Sequence, residues 1–95
     1  MRIEFAEAAR AEAAEAQAHY AAAAAGLGEA FAQEIRIAIE KIQEAPLLWS
    51  PITRRTRRFV IHRFPYIVVY RVSGDLIRIV AVAHQRRRSG YWQGR

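Results

Sequence analysis

The sequence predicts a two-layer α+β domain in the order β-α-α-β-β-β, with a helical hairpin packed on a mainly antiparallel twisted sheet. Three observations carry that prediction. Alanine dominates residues 6–25 and has the best intrinsic helix propensity. Phe31, Ile35, Ala38, Ile39 and Ile42 recur with helical period. Beyond Pro46 three runs are dense in Val, Ile, Tyr and Phe, which suit a pleated surface.

Each element has its own signal. Arg2-Ile3-Glu4-Phe5 alternates polar and apolar over four residues, a short strand pattern. In the alanine-rich segment, Ala9, Ala13, Ala16 and Tyr20 recur at the 4-3-4 spacing of a buried stripe, and the small residues on it let a second helix approach closely. Glu7, Arg10, Glu12, Glu15 and Gln17 are expected to form its solvated face. Gly26-Leu27-Gly28 breaks the pattern and offers positive-φ positions for a tight reversal. The second helix is expected over 29–44, with Glu34, Arg36, Glu40, Lys41 and Gln43 facing water. Pro46 stops it by disfavouring helical geometry at Ala45. Residues 47–56, with Trp49 between Pro46 and Pro51, read as loop. Strands are expected over 57–63, 66–72 and 76–83, with turns at Phe64-Pro65 and Ser73-Gly74-Asp75. The last run sets Leu76, Arg78, Val80 and Val82 against Ile77, Ile79, Ala81 and Ala83, so both faces are largely apolar. One meets the helices; the other needs a partner or the chain's own tail.

Ninety-five residues have room for one core, and residues 1–95 are read as a single domain. The chain has no cysteine, which removes thiolate chemistry and Cys-ligated zinc. No His-x₃-His pair suggests a metal site, and no cofactor is expected. No apolar run approaches the roughly 20 residues of a membrane span, and Arg2, Glu4, Glu7 and Glu12 interrupt any signal-peptide core. A cytoplasmic location without membrane association is the expectation.

Charge divides the chain. Residues 1–48 hold eight acids and four bases; residues 49–95 hold eleven bases and one acid, Asp75. Like charges repel in a compact state, so this imbalance points to a polyanionic or acidic partner on the basic half.

The segments Arg63-Phe64-Pro65-Tyr66-Ile67-Val68-Val69-Tyr70-Arg71-Val72, Gly74-Asp75 and Ile79-Val80-Ala81-Val82-Ala83-His84-Gln85-Arg86-Arg87 closely resemble the RelE/ParE toxin superfamily. Gly26-Leu27-Gly28, the Pro46 stop, Trp49-Ser50-Pro51 and Gly90-Tyr91-Trp92 fit the same register over essentially the whole chain. The resemblance implies the toxin of a type II toxin–antitoxin (plasmid stabilization) pair. It also implies a cognate antitoxin whose acidic or amphipathic C-terminal segment wraps over the toxin. RelE-like members cleave mRNA on the ribosome; ParE-like members inhibit DNA gyrase. The nuclease pattern carries arginine directly after the tyrosine of the second long strand, where this chain has Ile67 after Tyr66. It also carries lysines after the second helix, and this chain has none beyond Lys41. The distal arginine is matched by Arg86, and the C-terminal tyrosine aligns with Trp92, beside Tyr91. These differences favour the ParE-like branch.

The partner- or anion-binding candidates are Arg54, Arg55, Arg57, Arg58, Arg63, Arg71, Arg86, Arg87, Arg88 and Trp92. Arginine makes strong bidentate contacts with carboxylate and phosphate. The bland alternatives are a charged strand edge at 54–58 and a basic tail folding Trp92 back onto the sheet. Were the protein a nuclease, His62 or His84 with Arg86 and Tyr91 would supply acid–base chemistry; a hydrogen-bonded structural role is the favoured reading of both His62 and His84. His19 is read as a surface residue. A nucleic-acid-binding domain without toxicity is the third reading.

Overall fold

The computed structural model describes residues 1–95. The elements are β1 (Arg2–Phe5), α1 (Glu7–Ala23), α2 (Leu27–Glu44), β2 (Ser50–Pro51), β3 (Thr56–Ile61), β4 (Tyr66–Ser73) and β5 (Leu76–His84). They build one five-stranded sheet in the order β1-β5-β4-β3-β2. β1 runs parallel to β5, and every other pair is antiparallel. This is the expected two-layer α+β fold with one addition. Ser50–Pro51, expected as loop, pairs with Arg57–Arg58 as a two-residue edge strand.

The helical hairpin follows from small residues. Ala9 and Ala16 are buried, with Ala13 and Tyr20 partly buried beside them. Of the two glycines in the reversal only Gly26 has positive φ, at 80°. Gly28 serves a different purpose: a Cβ there would lie 2.7 Å from the Ala21 Cβ, so glycine lets α2 meet α1 at its start. From α2, Phe31, Ala38 and Ile42 enter the core fully. Phe31 sits against Tyr20, Phe64 and Tyr66 with ring centroids 5.2–5.4 Å away. After Pro46 the loop is pinned by the Tyr70 hydroxyl, which donates to the Pro46 carbonyl at 2.6 Å, and by the Trp49 indole N–H, which donates to the Lys41 carbonyl.

The β4–β5 hairpin turns at Gly74-Asp75, with φ of 58° at Gly74 as a tight two-residue loop requires. Further along, Val69 pairs with Ala81 but Tyr70 with Ile79, so Val80 is an extra residue, a β-bulge. The bulge corrects the simple alternation expected for the last strand. Ile77, Ile79 and Val82 face the helices, whereas Val80, Ala81 and Ala83 face the reverse side. An inserted residue shifts every later side chain to the opposite face, and strict period-two reading has no signal for it.

The reverse side is covered by the chain itself. Trp92 is 4% exposed and packs with Val69, Val80, Ala81 and Ala83, flanked by Ile52, Ile67 and Tyr91.

Candidate functional site

One acidic side chain sets the geometry of the reverse face. β1 pairs with β5 only as far as Ile79, after which the β5 edge has no neighbouring strand. Glu12 of α1 fills the gap. Its Oε1 accepts from the Val82 backbone N–H at 3.1 Å, and its Oε2 accepts from the Tyr91 hydroxyl at 2.7 Å. The Arg95 guanidinium donates to both oxygens, at 2.9 and 3.2 Å, and also to the Val80 carbonyl at 3.1 Å. The open edge groups beside the bulge are thus paired by a buried carboxylate–guanidinium fork rather than by a strand. Burial and the Glu12 carboxylate hold the Tyr91 hydroxyl far above the ordinary tyrosine pKa of 10.0. Hydrogen bonding to Glu12 likewise raises Arg95.

Sequence reasoning placed Glu12 on the solvated face and passed over Arg95. Both side chains are mostly buried, at 15% and 22% exposure. A signal for Glu12 existed: it lies three residues after Ala9 and four before Ala16, in the same helical row as the buried stripe. Arg95 carried none, because its contact spans 83 residues.

The strap from Gln85 to Arg95 lies beside the β2–β3 bend, and two adjoining clefts run between them. The larger, of about 830 Å³, is lined by Arg54, Arg55 and Arg71 together with Thr53, Ser89 and Gln93. The smaller, of about 120 Å³, shares Ile52, Ser89 and Trp92 with it and adds Arg58, His84 and Arg87. The two basic clusters of the sequence therefore meet on one face. Not every candidate joins them. Arg57 pairs across from Tyr70, whose side chain lies on the helix side, and its guanidinium donates to the Trp49 carbonyl at 2.8 Å. It is a loop fastener, which corrects its assignment to the binding cluster: alternate strand residues face opposite sides. Arg63 lies at the β3–β4 turn over the Phe64 ring. Arg86 and Arg88 are exposed on the strap. Arg87 lies 4.1 Å over the Tyr91 ring. Trp92 is buried under the strap, so it anchors the face instead of presenting itself to a partner.

Ion pairing separates these arginines from the chain's other bases except Arg10 and Lys41. The chain's four ion pairs use Arg2, Arg36, Arg78 and Arg95. None of Arg54, Arg55, Arg58, Arg63, Arg71, Arg86, Arg87 or Arg88 has a carboxylate partner, and neither has Arg57.

Of the acid–base candidates, His84 and Tyr91 come together in one cleft with Arg86 close to His84 in the chain, and His62 lies apart. His62 lines a groove between α2 and β3, whereas His84 and Tyr91 share a cleft with Glu12 and Glu15 beside α1. His84 accepts the Arg86 backbone N–H at Nδ1 and stands edge-on to Tyr66. Tyr91 is bound to a carboxylate and resists ionisation, which makes it a poor proton-transfer group. His19 is exposed on α1 and also borders that cleft.

The groove holding His62 differs in character. About 390 Å³ in volume, it is lined by Ile37, Trp49, Phe59, Val60 and Ile61 with Glu34, Lys41, Ser50 and Arg58 at its margins. β2 covers β3 only at Arg57 and Arg58, so Phe59–Ile61 form an open sheet edge beside it. Leu47 and Leu48 are exposed in the nearby loop, at 67% and 68%.

No helix is long and apolar enough to cross a membrane. No curated protein matches the chain. Among solved structures, a chain of the chromosomal ParDE TA system from P. aeruginosa shares the fold, with a TM-score of 0.64 at 17% identity over 88% of this chain and 95% of that one. The family model described as the ParE toxin of the type II toxin–antitoxin system, parDE, matches residues 3–89. The chain belongs to the ParE toxin family of type II toxin–antitoxin systems.

Proposed function

We propose that this toxin acts by binding DNA gyrase through the basic reverse face, in the cytoplasm, and is neutralised when its cognate antitoxin covers the molecule. The observation that carries this reading is the set of arginines around the strap, none of which has an acid within the chain. Desolvating so many like charges is favourable only against a partner that supplies the opposite charge. A binding mode is supported over cleavage by Tyr91, whose hydroxyl is already committed to Glu12. The antitoxin has a separate place to dock. The groove between α2 and β3 combines apolar walls with an open strand edge, and both suit an amphipathic segment that adds a strand and inserts side chains. Acidic residues in the same antitoxin segment would then reach Arg58, which borders both the groove and the reverse face.

Purified toxin added to a gyrase supercoiling reaction tests the reading, with cellular transcripts followed in parallel after induction. Lost supercoiling with intact transcripts, reversed by antitoxin, is the expected outcome. Rapid transcript cleavage with normal supercoiling would replace gyrase with the ribosome as target.

A further inference from the structure

The reverse face has a composition that narrows what it touches. Its larger cleft has ten lining residues, of which Ile52 and Trp92 are the apolar ones; the α2–β3 groove has ten, five of them apolar. A protein segment needs apolar anchors between its charges to bind firmly, and the groove supplies them. The cleft instead offers the guanidinium groups of Arg54 and Arg55, with Arg71 between β4 and the strap, where it also donates to the Arg95 main-chain oxygen at 3.3 Å, and the polar side chains of Thr53, Ser89 and Gln93. Such donors match phosphate oxygens.

The aromatic residues decide which nucleic acid. Single strands are held by stacking bases on exposed rings. Here Trp92 is buried, and Tyr91 is tied to Glu12 at its hydroxyl and covered by Arg87 on its ring. No free aromatic face remains in the cleft for a base. No helix lies on this face to enter a groove and read base edges; the lining comes from the loop of the short β2–β3 hairpin, from β4 and from the strap.

We infer that the reverse face binds the sugar–phosphate backbone of duplex DNA without reading its sequence. The inference rests on the proposal that this face meets the gyrase target, and it assigns the contact to the DNA that gyrase holds. Arg54 and Arg55 on the β2–β3 bend grip one stretch of backbone, and Arg86 and Arg88 on the strap extend the positive surface beyond the cleft.

Fluorescence anisotropy tests it with the toxin alone and labelled short duplexes of two unrelated sequences, a single strand, a duplex RNA and polyglutamate as probes. Both DNA duplexes are expected to bind equally and more tightly than the other probes. Affinity should fall with salt with a log–log slope of roughly −3 to −5, about 0.9 per phosphate neutralised. Arg54→Gln/Arg55→Gln should weaken binding by roughly tenfold and flatten the slope by about 2, with an unchanged melting temperature. Equal or tighter binding of single strands, RNA or polyglutamate overturns the inference, as does no binding to duplex DNA. Its failure is distinct from failure of the gyrase reading: supercoiling inhibited by a toxin that ignores free DNA removes this inference alone. Duplex binding with unaffected supercoiling removes the gyrase target and leaves this inference standing.

Discussion

On the helix side, thirteen buried residues interlock under two helices. On the reverse side, four buried sheet residues lie beneath a strap that adds its own Trp92 and that one carboxylate fastens. The first layer is cohesive through apolar packing, which needs no particular partner atom. The second depends on a few directional polar contacts and carries most of the unpaired positive charge. On the proposed reading stability belongs to one side and recognition to the other, since a surface built for a charged partner cannot also bury its charges internally.

Perturbing each side should show the difference. The largest effect is expected from Phe31→Ala, which removes a fully buried ring from the aromatic cluster. Urea unfolding should lose about 3–5 kcal/mol, the usual range for such a cavity. Glu12→Gln should cost less, about 2–3 kcal/mol, because it weakens charge-assisted bonds without opening a void. Its effect should be uneven: amide exchange should accelerate in residues 85–95 while α2 and β4 stay protected in proportion to global stability. A uniform loss of protection would mean that the strap is not separately fastened.

A pH series sharpens the same contrast. Burial raises Tyr66, Tyr70 and Tyr91 above 10.0, for Tyr91 with the Glu12 bond as the second cause. The unfolded chain therefore releases these protons first. Their contribution is fully present below about pH 10 and fades as pH rises through the raised folded-state values. Stability measured by urea should fall only in that alkaline range on this account, and Tyr91→Phe should soften the decline. The smallest effect belongs to Asp75→Asn. Its pairing with Arg2 at 3.9 Å is 73–74% exposed, so stability to urea should change by less than about 0.5 kcal/mol.

The helix side was the more legible in sequence. Alanine and isoleucine spacing located both helices, and Pro46 and Gly74-Asp75 marked their stop and the last hairpin, because these are local patterns with fixed periods. The family was also legible, from the run between Arg63 and Arg87. The reverse side was not, for physical reasons. A bulge at Val80 reverses the facing of the residues after it without altering composition. The adjacent Arg57 and Arg58 look like one cluster, yet a strand sends them to opposite faces. The Glu12–Arg95 fork joins residues far apart in the chain, so only the fold could reveal it.

The central claim is that the unpaired arginines of the reverse face carry toxicity by binding. Gyrase supercoiling in the presence of Arg54→Gln/Arg55→Gln toxin tests it most directly, because both residues are exposed and neither side chain supports the fold. Inhibition is expected to lose at least roughly tenfold in potency, with the melting temperature and antitoxin-dependent complex formation retained. Undiminished inhibition by the folded variant would contradict it.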